Sequence, residues 1–97
     1  AYRVRMTPLD EHGEPLDGSI PLEFAHRNHD DVLRIVRTMQ GSMQSSSGLD
    51  ADAAASLAVG LKLLSETVLK NKHDPLFDVL RAPLREFIQA LKSRRGP

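Results

Sequence analysis

Cysteine and tryptophan are both absent from this 97-residue sequence. Without cysteine there is no disulfide and no thiolate metal site, and a reducing cytoplasm is the expected compartment. Aromatic side chains are scarce: Tyr2, Phe24, Phe77 and Phe87 are the whole set. The core is therefore expected to be aliphatic, and a base-stacking platform for nucleic acid is hard to assemble. An excess of one charge is also missing. Thirteen basic residues balance thirteen acidic ones, so no global field draws the chain toward nucleic acid or a membrane surface. No apolar run approaches the length of a bilayer span, and Ala1-Tyr2-Arg3 has no apolar signal core. The short signatures of chemistry are lacking too. There is no GxxxxGK[ST], GxGxxG, HExxH, calcium loop or GxSxG elbow. No catalytic residue, cofactor or resident metal is expected, and residues 1–97 are read as a single domain.

What is present centres on the stretch Asp50 to Lys72, the longest uninterrupted helical pattern. The Asp50 carboxylate can accept from free N–H groups of the first turn, with Leu49 and Ala54 at the staple positions around it. Asp52 adds negative charge at the positive end of the dipole. Leu57, Leu61, Leu64 and Val68 recur at spacings of three and four. Ala58, Val59, Leu63 and Leu69 widen that stripe over most of the girth, which predicts neighbours on several sides. Gly60 costs about 1 kcal/mol against alanine in mid-helix, and close approach of another backbone is the expected reason. Glu66 and Lys70 form a favourable i,i+4 pair, and Asn71 is expected to end the helix in a left-handed conformation.

Upstream, Tyr2 to Thr7 alternates apolar and polar, predicting a strand with Tyr2, Val4 and Met6 inward. Asp10 to Gly18 reads as a long hairpin connection. Ser19 to His26 alternates again, with Ile20, Leu22 and Phe24 inward, and Pro21 limits it to an edge position. Glu23 is expected across from Arg3 or Arg5. Asn28 is the expected cap of the first helix, with Asp30 and Asp31 in its first turn. Val32, Leu33, Ile35, Val36, Met39 and Met43 form its stripe, the two methionines as core fillers. Gly41 and the run Ser45 to Gly48 are read as its end and as a flexible linker. Asp74-Pro75 opens the last helix, whose inward face runs from Leu76 to Leu91 and which is expected to kink or break near Pro83. The tail after Ser93 is basic and frayed.

The order is thus ββααα. Strands first and helices after predict an α+β fold, an N-terminal antiparallel hairpin packed on three helices. The stretches Phe24 to Asp31, Ala58 to Leu64 and Leu69 to Phe77 resemble a small bacterial family described only as a domain of unknown function. That resemblance implies a cytoplasmic bacterial protein of ββααα layout and no assigned activity.

Three surfaces compete for a function. His26, His29, Asp30 and Asp31 fall within six positions and carry metal-ligating groups, but a solvated helix start explains the same residues. Arg3, Arg5, Arg34 and Arg37 form a basic face suited to phosphate backbones, the alternative reading as a small nucleic-acid-binding protein. The third is the hairpin edge, with Tyr2, Arg3, Val4 and Arg5 as the candidate partner surface. A two-stranded sheet leaves rows of unpaired backbone groups, open to a second copy or a partner's strand. The expectation is a non-enzymatic protein–protein interaction module, homodimeric through the hairpin.

Overall fold

A computed structural model describes residues 1–46 and 48–95, with residues 44–46 and 94–95 described by backbone alone. Strand β1 (Tyr2–Met6) pairs antiparallel with β2 (Leu22–His26), and helices α1 (Val32–Ser46), α2 (Ala51–Lys70) and α3 (Asp78–Arg95) follow. The α+β hairpin-then-helices order is therefore as expected. The register sets Tyr2 opposite His26, Val4 opposite Phe24 and Met6 opposite Leu22 on one face. It sets Arg5 opposite Glu23, whose side chains meet at 3.2 Å.

Both strands are shorter than their alternation suggests. Ser19, Ile20 and Pro21 lie outside the ladder, since Pro21 has no N–H to donate. The connection is held by its own hydrogen bonds. Asp10 Oδ1 accepts from His12 N and Glu14 N, and Leu16 N donates to Pro8 O. Gly13 and Gly18 take positive φ values of 82° and 76°, the conformation that lets so short a chain reverse twice.

The helices cover only one end of the hairpin. Tyr2, Val4 and His26 are half-buried, whereas Met6 is 61% exposed and Ile20 89% exposed. Met6, Ile20, Leu22 and Phe24 therefore do not face a core. The hairpin overhangs the helical layer, and its distal apolar side is left open by the described residues.

Helix α1 begins later and ends later than its sequence suggests. Its cap is Asp31, whose Oδ1 accepts from Arg34 N at 3.1 Å; Asn28 makes a turn before it, accepting from Asp30 N. The helix continues through Gly41 to Ser46, so a linker opening at Ser45 is not observed, and Ser47 lies outside the described residues. Met39 and Met43 are buried at 2% and 4% exposure. With Ala54 and Ala58 of α2 and Leu91 of α3 they form the core. Alanines on α2 let two helices approach closely, and flexible methionines fill the gap that remains. Leu33, by contrast, is exposed.

Helix α2 carries the Asp50 cap as expected, with Oδ1 accepting from Ala53 N at 2.8 Å. It ends at Asn71 with φ −117°, so the terminator is not left-handed. The expectation that neighbours enclose this helix is also corrected. Ala54, Ala58 and Val68 are buried, but Ser56, Gly60, Leu64 and Leu69 face outward. At Gly60 a Cβ would meet nothing within 4 Å outside its own helix backbone; among the described residues no other backbone approaches it. Asp74 then caps a 3-10 turn, Pro75–Phe77, through Leu76 N. Helix α3 follows and runs through Pro83 without a break. Of the two expectations at Pro83, a break is therefore not observed, and the chain's change of helix type falls at the 3-10 turn.

Candidate functional site

A row of charged side chains crosses the otherwise apolar α2. Lys62, Glu66 and Lys70 are spaced by four, so they share one helical face. That face meets the segment between β2 and α1. Asn28 Nδ2 donates to Lys62 O at 3.0 Å and lies 3.3 Å from His26 Nε2. His29 Nδ1 is 2.7 Å from Glu66 Oε2, Lys62 Nζ donates to Asp30 Oδ2 at 2.5 Å, and Lys70 Nζ donates to Arg27 O at 2.5 Å. At the edge of this cluster Val32 N donates to the Tyr2 hydroxyl at 3.1 Å.

The electrostatics follow from this geometry. The Glu66 residue is only 6% exposed. Burial pushes its carboxyl upward, but the hydrogen bond from His29 and the charges of His29 and Lys70 outweigh burial and hold it below its ordinary value. The Lys62 hydrogen bond holds Asp30 below the usual carboxylate range against the opposing effect of burial, helped by the charges of Lys62, His29 and Lys92. Both carboxylates are thus kept ionised, which suits a hydrogen-bonded tie rather than an acid that delivers protons.

Of the four residues singled out as a polar cluster, His29 and Asp30 are brought together on α2, with His29 Nε2 3.5 Å from Asp30 Oδ1. His26 touches this group only through Asn28. Asp31 turns away to cap α1. Among the described residues no group of three or more His, Asp or Glu side chains is placed to hold a metal ion. A histidine oriented by a carboxylate is half of a nucleophile-activating arrangement. Ser65 Oγ, next to Glu66 in sequence, is buried without a hydrogen-bond partner and makes no hydrogen bond to His29. Ser45 and Ser46 are described by backbone only. Asn28, Lys62, Glu66 and Lys70 did not figure in this cluster from sequence. The signal that would have found them is a lone charge, Lys62, inside the apolar run Leu61 to Leu64, repeated four and eight residues on.

Arg3 and Arg5 lie exposed on β1, with Arg5 held by Glu23, while Arg34 and Arg37 lie exposed on α1. Tyr2 and Val4 turn toward the helices and line a shallow cavity of about 250 Å³ with Val32, Leu33, Val59 and Leu63. The outer edge of β1 pairs with no other strand among the described residues.

Comparison with known proteins adds a family and a fold. A family model, DUF3861, described as a domain of unknown function with a solved structure, matches residues 1–93. A crystal structure of a protein of unknown function from Pectobacterium atrosepticum is 28% identical, with a TM-score of 0.68, over 95% of this chain and 94% of that one. No curated protein matches the sequence. Among the described residues no helix is long and apolar enough to cross a membrane.

Proposed function

The chain belongs to the DUF3861 family, whose function is unknown, and from that premise we propose that it is a non-enzymatic protein–protein interaction module that works by self-association through its hairpin. The observation that carries this reading is an excess of surface. The accessible area is 7285 Å², against about 5,500 Å² for a compact monomer of this size. The radius of gyration is 15.6 Å, against about 12.5 Å expected for a compact domain of this length. Much of the surplus is apolar: Met6, Leu9, Leu16, Ile20, Leu22 and Phe24 all stand exposed on the hairpin and its connection. Met6, Leu22 and Phe24 share one face of the hairpin, and exposed apolar surface shared in this way marks interaction sites. The polar ties of Asn28, His29 and Asp30 to α2 fix the base of the hairpin, so the overhang is presented in one orientation.

Light scattering or sedimentation over a concentration series tests the reading. The expected species is a dimer that dissociates on dilution. A strict monomer at high concentration overturns it. Replacing Leu22 with Asp is expected to shift the equilibrium to monomer with an unchanged far-ultraviolet circular dichroism spectrum.

A further inference from the structure

A second apolar surface lies open on the opposite side of the central helix. Helices α2 and α3 diverge around a groove of about 390 Å³, with Ser56, Gly60 and Leu64 on one wall and Leu80, Pro83 and Phe87 on the other. Ser56 supplies its polar group; the rest is hydrocarbon. Gly60 sits at its centre. Glycine in mid-helix is unfavourable by roughly 0.5–1 kcal/mol relative to alanine, and the space its missing side chain opens is used by none of the described residues. Both features are explained at once if another molecule enters there.

The hairpin overhang has the complementary problem. It carries exposed Met6, Ile20 and Leu22 and lacks a core to pack on. A typical specific interface removes about 800 Å² from each partner. The surplus surface of this chain is about 1,800 Å² when set against the compact-monomer area. One contact of that size absorbs under half of it; two come close to the whole. Two copies related by a two-fold axis achieve this, because the axis exchanges patch and groove and makes the two contacts equal.

We propose that the α2/α3 groove centred on Gly60 receives the apolar hairpin overhang of a second copy of this chain, reciprocally, in a two-fold dimer. This rests on the self-association reading and names the surface on which the hairpin lands. Gly60 is then a specificity-determining position: its bare backbone admits the incoming side chains between Leu64 and Phe87.

The absence of native cysteine makes a direct test clean. Chains carrying Ile20→Cys are mixed with chains carrying Ser56→Cys and oxidised. The mixture is expected to yield a disulfide-linked heterodimer in clear excess over either chain alone. In sedimentation, Gly60→Trp is expected to weaken the dimer by roughly tenfold or more, as blocking a central interface residue does. Its helical circular dichroism should be retained, since the indole projects into open groove. If Leu22→Asp gives monomers while Gly60→Trp keeps the wild-type dissociation constant and the cysteine mixture does not cross-link, the hairpin meets a second copy elsewhere. The groove assignment then fails and self-association stands. If the unsubstituted chain is monomeric throughout, both fail. The cross-link decides the matter even where Gly60→Trp does not fold.

Discussion

His29 Nδ1 lies 2.7 Å from Glu66 Oε2, joining residues 37 positions apart and fastening the base of the hairpin to the C-terminal part of the central helix. An ionised carboxylate only accepts, so the Nδ1 nitrogen carries the proton. The contact is an anchor between two layers that share little packed apolar surface.

That anchor predicts a specific coupling. Glu66→Ala and His29→Ala should each lower the melting temperature, Glu66→Ala by more, because it also strips Lys70 of its 3.8 Å partner. The double variant should be less destabilised than the sum of the two, as for residues in direct contact. Strict additivity in thermal unfolding would show that the pair does not act as a unit.

Acid sensitivity follows from the same groups. Asp30 and Glu66 both titrate below their ordinary values of 3.8 and 4.5 in the folded chain. A carboxylate with a depressed folded value stabilises the fold above its unfolded value, and that contribution is lost as pH falls through the folded one. Stability from this source should therefore be level from about pH 5 to 7 and decline below pH 4.5. The combined Asp30→Asn and Glu66→Gln variant should show a shallower decline. Urea midpoints across this range are the measurement, and parallel curves for the two proteins would refute the assignment.

Asn28 makes a different kind of tie, donating from Nδ2 to the Lys62 carbonyl while its Oδ1 accepts from Asp30 N. Asn28→Ala leaves a part-buried carbonyl without this donor and should cost about 1–3 kcal/mol. Arg5→Ala is the matched control. Its pair with Glu23 is exposed on both sides and should be worth no more than about 1 kcal/mol. Denaturant unfolding of the two variants should separate them clearly.

The sequence carried the order of elements and the caps at Asp50 and Asp74, because local side-chain to backbone hydrogen bonds decide those. It carried Met39 and Met43 as core, because helical period decides that. It failed where a long-range partner decides. Asn28 is an ordinary cap by local rules, yet its amide ties the chain to Lys62 O and turns it at Asp30 N, and the helix starts after Asp31. Met6, Leu22 and Ile20 alternate as an inward strand face, yet alternation says only which residues share a side. Whether a helix lies beneath that side depends on the length of the helical layer, which no local pattern encodes. Gly60 shows the same limit in reverse, since a glycine signals a need for space and not who fills it.

The core that does exist is small, and its members should be unusually sensitive. Met39 is 2% exposed and packs with Met43, Ala54, Ala58 and Leu91. Met39→Ala removes three heavy atoms from a cluster with few others to close over the gap, and should cost about 2–5 kcal/mol. Ile20→Ser, at a position 89% exposed, should be silent in dilute protein. Equal losses for the two would mean that the overhang is covered by its own chain.

Gly60→Ala tests the groove from the side of the monomer. In an exposed helix interior alanine is favoured over glycine because it has less backbone freedom to lose on folding. At many positions a steric clash cancels that advantage, but here the new methyl group would meet none of the described residues within 4 Å beyond the adjacent backbone of its own helix. Dilute Gly60→Ala protein should therefore gain about 0.5–1 kcal/mol over the parent chain. In concentrated protein the methyl group occupies the space offered to the second copy, so the gain should shrink or reverse. Chemical unfolding at two protein concentrations gives both numbers. A gain that stays the same at both would mean that the space beside Gly60 is left to water.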